Sequence, residues 1–396
     1  MPQERLDAPL AVMAKPVGSR CNMRCAYCYY LEKGKYSRSE KQTRMSFDLL
    51  ERLIRQTIAA SPGPVVSFTW HGGEPTLAGM DFYKKALELE RKYLPRGWEA
   101  WNNLQTNGLL LNEAWCRFLK DNRFDVGLSI DGSAEVHDAN RRLIDGSATF
   151  ERVRASIRRL RDAGIEPDLL CTVNAVSEQK PLEVYRALRE MQCGWVQFIP
   201  VVIRDAAGGT DPRSVSPEGY GRFLTAVFDE WVTHDLGILD VQLFAEMARI
   251  MAGGEASLCW MSPVCGHVLI AEEDGAVYSC DHFVDPEHRL GTLFESSLAR
   301  MAGSGFQRSF GLSKRDALTD ECRACSALRF CNGGCPKDRF GLSTGGQPGQ
   351  YWLCSGLKAF FAHAEPVLAK VMTMSAKGTK PAEIMKTLRE ETASPD

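Results

Sequence analysis

Residues 21–28 read Cys21-Asn-Met-Arg-Cys25-Ala-Tyr-Cys28, which places three cysteines in one short segment. An apolar segment that predicts a buried strand, 9–15, precedes them, and a segment with helical spacing of apolar residues, 47–60, follows. Three thiolates in one loop can bind three corners of a cubane iron–sulfur cluster and leave its fourth iron open to a small molecule. A structural zinc ion would take a fourth ligand nearby, and this loop has no other cysteine or histidine. A set of buried structural cysteines is the remaining alternative.

Strand-like and helix-like segments alternate outward from this loop, from residue 8 to about 203. The predicted strands are 9–15, 65–70, 99–105, 125–130, 168–173 and 195–201. The predicted helices include 47–60 with Ser46 as N-cap, 81–93, one capped by Asn112, one that Gly164 stops, and 181–191. About six β-α units predict an α/β fold with a parallel sheet. Polar or glycine-rich loops after the strands favour a partial (β/α)6 barrel with ligands at its C-terminal rim, and a doubly wound open sheet is the alternative.

Composition and charge narrow the classes of function. The 396 residues carry 48 basic and 50 acidic side chains, a net charge of -2, which disfavours a nucleic-acid-binding protein. No run approaches 18 apolar residues, so no transmembrane helix is predicted. The polar residues 1–9 do not resemble a signal peptide, and we therefore expect a cytoplasmic protein without a membrane partner.

Cysteine is the compositional outlier, with 14 residues, and most of them lie late in the chain. In a cytosolic chain of this size such a count indicates metal rather than disulfide bonds. The late group consists of Cys259, Cys265, Cys280, Cys322, Cys325, Cys331, Cys335 and Cys354. Eight cysteines suffice for two four-ligand clusters, and a zinc ribbon is the alternative. The change in composition predicts three segments: a core at 8–255, a cysteine-rich domain at 256–375 that ends in a helix at 360–374, and a tail at 376–396.

Two motifs near the N-terminus resemble the radical SAM superfamily. They are Cys21-x3-Cys25-x2-Cys28 with Tyr27 before the last cysteine, and Gly72-Gly73-Glu74-Pro75 after the second predicted strand. The resemblance implies that the open iron binds the amino and carboxylate groups of S-adenosyl-L-methionine (SAM). It also implies that the glycine loop contacts the methionine part of SAM, and two glycines allow a backbone to approach a ligand closely.

The late cysteines resemble the SPASM domain, the C-terminal extension of radical SAM enzymes that modify peptides. The resemblance implies two auxiliary [4Fe–4S] clusters with interleaved ligands, and three clusters in the whole chain. By that resemblance one auxiliary cluster binds Cys259, Cys265, Cys280 and Cys335. The other binds Cys322, Cys325, Cys331 and Cys354. The other three cysteines, Cys116, Cys171 and Cys193, are predicted to be buried structural thiols.

Further strings resemble the anaerobic sulfatase-maturating enzymes, and the resemblance spans about residues 12–370. The strings are Lys15-Pro16, Cys28-Tyr29-Tyr30, and those at 72–79, 104–108, 126–132 and 278–281. The resemblance implies oxidation of a cysteine or serine in an unfolded sulfatase polypeptide to Cα-formylglycine (3-oxoalanine). An electron donor such as ferredoxin or flavodoxin is implied as a second partner. Another SPASM peptide maturase that forms a crosslink, and a zinc-bound scaffold without catalysis, are the alternatives.

The same resemblance assigns roles to individual residues. The implied contacts with SAM are Tyr27, Gly73, Ser129, Arg141 and Val202. Asp281, which directly follows a cysteine of the first auxiliary cluster, is the implied proton acceptor from the substrate. Each role has a simpler alternative: packing for Ser129 and Val202, a surface position for Arg141 beside Arg142, and a solvated turn for Asp281. The neighbouring His71 and His282 either line the pocket or are structural.

Overall fold

The computed structural model describes Leu6 and residues 10–36, 43–205 and 207–393. Within these residues the chain forms two compact units. The first comprises Met1–Ser129, Arg141–Pro167 and Cys265–Ser313, and the second comprises Ile130–Asn140, Asp168–Val264 and Lys314–Asp396. Pro9 of the predicted first strand and residues 394–396 of the predicted tail lie outside the described residues. Of the described helices, none is both long and apolar enough to cross a membrane.

The strands, in chain order, are β1 (Ala11–Ala14), β2 (Val65–Trp70), β3 (Glu99–Thr106), β4 (Asp125–Ser129), β5 (Asp168–Val173), β6 (Trp195–Pro200), β7 (Asp240–Val241), β8 (Val268–Ala271), β9 (Ala276–Tyr278), β10 (Arg289–Thr292), β11 (Gly341–Leu342) and β12 (Pro348–Gln350). The α-helices are α1 (Phe47–Ala60), α2 (Met80–Tyr93), α3 (Glu113–Asp121), α4 (Ala134–Asn140), α5 (Phe150–Asp162), α6 (Pro181–Glu190), α7 (Pro217–His234), α8 (Gln242–Met251), α9 (Leu298–Ala302), α10 (Gly305–Asp316), α11 (Asp320–Arg323), α12 (Leu328–Cys331), α13 (Cys354–Ala376) and α14 (Pro381–Ala393).

In the first unit, seven strands pair in the order β10-β9-β8-β1-β2-β3-β4. Strands β1 to β4 are parallel, β8 is parallel to β1, and β9 is antiparallel to both β8 and β10. Helices α1, α2 and α3 alternate with the strands. Helix α1 begins where the Ser46 side chain accepts a hydrogen bond from the Leu49 N–H, and it buries Leu50, Leu53 and Ile54. Burial of this apolar face fixes the helix beside the sheet.

The second unit contains the parallel strands β5, β6 and β7 together with most of the later helices. Phe228 of α7, Phe244 of α8 and Phe360 of α13 form an aromatic core with ring centroids 5.1 to 6.1 Å apart. Helices α7 and α13 approach closely where both carry glycine. A Cβ atom on Gly356 would lie 1.7 Å from the Pro217 carbonyl oxygen, so only glycine fits there.

The predicted α/β class and parallel sheet are confirmed. Strands β1 to β4 follow one another in space in their chain order, as do β5 to β7. A doubly wound sheet reverses its strand order at a switch point, so the observed sequential order is consistent with a partial barrel. The predicted domain boundaries at 255 and 375 stay predictions.

The C-terminal helices differ from the prediction. The helix predicted at 360–374 begins earlier, at Cys354, and ends at Ala376. Gly356 concealed its first turn because glycine disfavours helix in general, whereas here it is required by the packing against α7. A further helix, α14, lies in the predicted tail and buries Ile384, Met385 and Leu388. Helix α10 was not predicted either.

Candidate functional site

The loop that follows β1 contains the first three cysteines, all of them partly buried. The Cys21 sulfur accepts hydrogen bonds from the Met23 N–H at 3.3 Å and from the Asn107 side-chain amide at 3.7 Å. Burial raises the pKa of Cys21 to about 12, and the nearby Cys25 and Cys28 add to that rise. A thiol in such a setting ionises only when a cation binds it. The three cysteines lie close enough for Cys25 and Cys28 to act on Cys21, and this proximity suits a shared metal cluster.

The glycine loop that follows β2 packs against the backbone of the cysteine loop. The Gly73 N–H donates to the Gly18 carbonyl, and the Glu74 N–H donates to the Arg20 carbonyl, both at 2.8 Å. A Cβ atom on Gly73 would lie 2.0 Å from the Arg20 carbonyl oxygen. Position 73 thus requires glycine because two backbones meet there, in addition to any contact with a ligand.

Glu74 is fully buried and connects the loop after β2 to the loop after β3. Its carboxylate accepts hydrogen bonds from the Thr76 N–H at 3.0 Å, the Thr106 hydroxyl at 2.7 Å and the Asn107 N–H at 2.8 Å. These bonds place the Asn107 side chain against Asn22 and Cys21. No individual role was predicted for Glu74 or Asn107, although they lie in the motifs at 72–79 and 104–108.

Four of the five predicted SAM contacts lie in the first unit. Arg141 is buried, with its guanidinium carbon 5.5 Å from the centre of the Tyr27 ring, whereas the neighbouring Arg142 is exposed. The Ser129 hydroxyl, at the end of β4, accepts a hydrogen bond of 3.1 Å from the Gln105 side chain. The fifth predicted contact, Val202, is buried in the second unit and follows β6. The contacts of these five residues with SAM stay predictions.

Asp281 lies in a buried polar cluster of the first unit. The Lys15 ammonium is completely buried and lies 2.6 Å from one Asp281 carboxylate oxygen, while the Tyr29 hydroxyl donates to the other. Burial alone would raise the pKa of Asp281, but the positive charge of the Lys15 ammonium holds that pKa below its usual range. Asp281 is therefore ionised at neutral pH.

His71 is part of the same cluster and is neutral. Its Nδ1 atom lies 3.2 Å from the Lys15 ammonium and accepts the Gly72 N–H at 2.7 Å, so its proton resides on Nε2. Burial lowers the pKa of His71 to about 3, with a further contribution from Lys15. The Lys15 ammonium also lies 4.3 Å from the centre of the Tyr30 ring. From the sequence, Lys15 was predicted only as part of a motif. Its position directly after the apolar strand β1 was the signal that its side chain is buried.

In the second unit the structure brings together the cysteines of the second predicted auxiliary cluster. Burial raises the pKa of Cys331 to about 12, and the nearby Cys354 and Cys322 raise it further. Gln350 lies between two of the sulfurs: its amide N–H donates to Cys354 at 2.9 Å, and its amide oxygen lies 3.4 Å from the Cys322 sulfur. The charge of Cys325 also acts on Cys354. All four cysteines therefore lie close enough together to act on one another electrostatically.

The four cysteines of the other predicted auxiliary cluster are divided between the units. Cys259 and Cys335 belong to the second unit, where burial raises the pKa of Cys335 to about 12 and Cys259 contributes to the rise. Cys265 and Cys280 belong to the first unit, where the Gln307 side-chain amide donates to the carbonyls of Gly266 and Ser279. That bridge holds the segments next to both cysteines.

The donor chemistry fits iron–sulfur clusters. In the described ranges, no group of three or more His, Cys, Asp or Glu side chains is close enough to hold a single metal ion. A cubane takes one thiolate on each iron, and the loop 21–28 offers three partly buried cysteines. No disulfide bond links any of the fourteen cysteines. As predicted, Cys116, Cys171 and Cys193 are buried.

Comparison with known proteins agrees with these features. Residues 16–188 match the model of the Radical SAM superfamily, and residues 259–326 match that of the iron-sulfur cluster-binding domain called SPASM. The chain is 40% identical to the serine-type anaerobic sulfatase-maturating enzyme of Bacteroides thetaiotaomicron over 96% of each protein. It is 31% identical to the cysteine-type enzyme of Clostridium perfringens over 92% of this chain and 98% of that enzyme.

A solved structure, native anSMEcpe with bound AdoMet and the Cp18Cys peptide, superposes with a TM-score of 0.84 and 31% identity. The match covers 92% of this chain and 98% of the other. The predicted family and fold are thereby confirmed. The chain belongs to the anaerobic sulfatase-maturating enzymes, which are radical SAM oxidoreductases that bind SAM and iron–sulfur clusters and generate formylglycine.

Proposed function

We propose that the chain oxidises a serine or cysteine of an unfolded sulfatase polypeptide to Cα-formylglycine, with Asp281 as the group that accepts the substrate's proton. The observation that carries this assignment is the position of the Asp281 carboxylate, which lies between the Lys15 ammonium and the Tyr29 hydroxyl and directly follows the predicted ligand Cys280. We assign the SAM-binding cluster to Cys21, Cys25 and Cys28, and two auxiliary clusters to the eight late cysteines. Tyr27, Gly73, Ser129, Arg141 and Val202 are the proposed SAM contacts.

When bound, SAM and the cluster of the cysteine loop supply an organic radical that removes one hydrogen atom from the substrate Cβ. One further electron would pass to an auxiliary cluster held by the late cysteines, and loss of the hydroxyl or thiol proton would give the aldehyde, or a thioaldehyde that water hydrolyses. Asp281 accepts this proton because it is ionised at neutral pH. The Lys15 charge keeps the carboxylate ionised despite its burial, and the Tyr29 hydroxyl fixes its orientation. Lys15 and Tyr29 are thus positioning residues.

Serine is the favoured target. Three relatives named serine-type are 34% to 40% identical to this chain, and three named cysteine-type are 29% to 31% identical. We further propose a small reduced redox protein such as ferredoxin or flavodoxin as electron donor. A cytoplasmic location fits a chain with fourteen cysteines and no disulfide bond.

The test is mass spectrometry of two synthetic sulfatase peptides that differ only in a Ser or Cys at the target position. Each is incubated anaerobically with the reconstituted enzyme, SAM and a reductant. We expect formylglycine from the serine peptide together with 5′-deoxyadenosine. Formation of 5′-deoxyadenosine with a crosslinked product instead of formylglycine would support the alternative peptide maturase. Cleavage of SAM without any change in either peptide would overturn the proposed substrate class.

A further inference from the structure

Lys314 is a completely buried cation in the second unit, near the end of α10. Its ammonium group donates hydrogen bonds to the carbonyl oxygens of Cys259 and Trp260, each at 2.8 Å, and to that of Ser262. A charged ammonium has three N–H donors and no acceptor, so three carbonyls match its capacity. The loop that carries Cys259 is therefore folded around this positive charge.

A second cation extends the contact to the turn between Cys331 and Cys335. The Arg339 guanidinium donates to the carbonyls of Lys314 at 2.6 Å, Gly333 at 2.7 Å and Asn332 at 2.9 Å. In return the Asn332 side-chain amide donates to the Met261 carbonyl at 2.6 Å. Residue 314 is thus connected to the loop 259–262 through its side chain and to the turn through its backbone.

Lys314 lies beside predicted ligands of both auxiliary clusters. It bonds directly to the backbone of Cys259, which is assigned to one cluster. Through Arg339, residue 314 is also held to the turn between Cys331 and Cys335, and Cys331 is assigned to the other cluster. A buried positive charge acts strongly on nearby negative charge because the surrounding dielectric constant is low.

We propose that Lys314 sets the reduction potential of the auxiliary clusters and fixes the position of Cys259, while Arg339 holds Lys314 in place. Reduction adds one negative charge to an iron–sulfur cluster that thiolates already make anionic. A nearby buried ammonium stabilises the reduced form more than the oxidised form, and so raises the potential. Lys314 is a positioning residue, since it contacts neither substrate nor SAM in this assignment. The inference rests on the proposed cluster ligands.

The test is a redox titration of the full-length enzyme, reconstituted anaerobically and followed by electron paramagnetic resonance, without peptide or SAM. Lys314→Met removes the charge and keeps the apolar stem, whereas Lys314→Arg keeps the charge. Lys377→Met removes an exposed lysine from the same unit, and Asn332→Gly removes one hydrogen bond to the loop without changing charge. Gly suits position 332 because its φ angle is +44°. Iron content is measured for every variant.

We expect Lys314→Met to lower an auxiliary potential so that the ratio of reduced to oxidised cluster at fixed potential falls about tenfold, which equals about 59 mV for a one-electron couple. Lys314→Arg, Lys377→Met and Asn332→Gly should stay near the wild-type value. Wild-type potentials with full iron content in Lys314→Met would overturn the proposal. If that variant is insoluble, Lys314→Gln replaces it, with the same expected drop in potential and the same contrary result. Insolubility of the Met, Gln and Arg variants alike would assign Lys314 a purely structural role and also overturn it.

These readouts are independent of the proposed reaction. Failure of the wild-type enzyme to convert any sulfatase peptide would overturn the proposed function and leave the potentials unchanged. Fewer than three clusters in the wild-type enzyme would instead overturn the ligand assignment on which this inference rests.

Discussion

The cysteine loop 21–28 and the cysteine turns at 322–335 are stabilised in different ways. The first follows a strand of a parallel sheet, and side chains from neighbouring strand ends, Glu74 and Asn107, hold it. The second consists of two four-residue helices and glycine turns, held by Arg339 and by Gln350. Regular structure fixes the first region independently of any metal. The second has little regular structure of its own, so we expect metal binding to contribute to its folding.

The largest expected effect is on activity in the first region. Replacing Cys21, Cys25 and Cys28 with Ala should abolish SAM cleavage and peptide oxidation while the protein stays folded. The sheet and the Glu74 hydrogen bonds remain in this variant. Iron content should fall by about four per chain, the metal of one cubane. Chromatography of 5′-deoxyadenosine and circular dichroism provide the two measurements, and continued production of 5′-deoxyadenosine would contradict the assignment.

The matching change in the second region should affect folding as well as activity. Cys322→Ala combined with Cys325→Ala should reduce the soluble yield, because the surrounding short helices lose the metal that holds them. Gel filtration of the soluble protein from equal volumes of culture compares the yield of this variant with that of the Cys21, Cys25 and Cys28 triple variant. A soluble double variant that keeps all of its iron would show that these cysteines are not ligands, and the contrast between the two regions would disappear.

A smaller effect is expected for Asp281, which lies in the first unit, as the loop 21–28 does, but binds no metal in our assignment. Asp281→Asn keeps the shape of the side chain and removes the base. Formylglycine formation should fall about 10²–10⁴-fold, the usual cost of losing a general base. Iron content and SAM cleavage should remain. With a peptide deuterated at Cβ, deuterium should still reach 5′-deoxyadenosine, because hydrogen abstraction does not require the base.

Asp285→Asn is the matched control, since Asp285 lies in the same segment and accepts the backbone N–H groups of Glu287 and His288. Asn preserves that cap, so activity should not change. Formylglycine formation by Asp281→Asn at the wild-type rate would leave Asp281 as an ordinary turn residue. Loss of iron in Asp281→Asn would instead indicate that Asp281 supports its neighbour Cys280.

Local sequence patterns predicted the helices and strands of the first unit well. Strand β2 has the predicted bounds, and Ser46 and Asn112 cap the predicted helices, because period-two and helical spacing of apolar residues are local signals. The C-terminal helices of the second unit were harder to predict. Helix α13 was shortened in the prediction because the need for Gly356 arises from contact with α7, more than a hundred residues earlier in the chain.

The candidate site divides in the same way. The cysteines and Gly73 were found because their spacing in sequence carries the signal. Lys15 and Lys314 were not recognised, because a lysine in sequence predicts an exposed side chain. Their partners, Asp281 and Cys259, are 266 and 55 residues distant in sequence, and only the folded chain brings them together.

The smallest expected effect concerns the free energy of unfolding, and it arises in the first unit away from the cysteine loop 21–28. Glu90 of α2 is only 3% exposed, and burial raises its pKa to about 7. One carboxylate oxygen accepts the Asn102 amide at 3.0 Å, and Asn102 in turn accepts the Trp70 indole N–H at 2.7 Å. Because Glu90 is buried in the packing between helix and sheet, its ionisation should lower the free energy of unfolding.

The pKa of Glu90 in the folded protein exceeds the value of about 4.3 expected in the unfolded chain. Stability is then fully present below pH 4.3 and is lost as the pH rises through 7, because the folded state holds the proton more tightly. Glu90→Gln removes this loss, so its free energy of unfolding should exceed that of the wild type by about 1–3 kcal/mol at pH 8 and by little at pH 5. Urea unfolding at the two pH values measures the difference. Glu88→Gln, on the exposed side of the same helix, should give no such pH dependence. Equal behaviour of the two variants would mean that Glu90 ionises as freely as a surface carboxylate, and that its burial does not limit the stability of the first region.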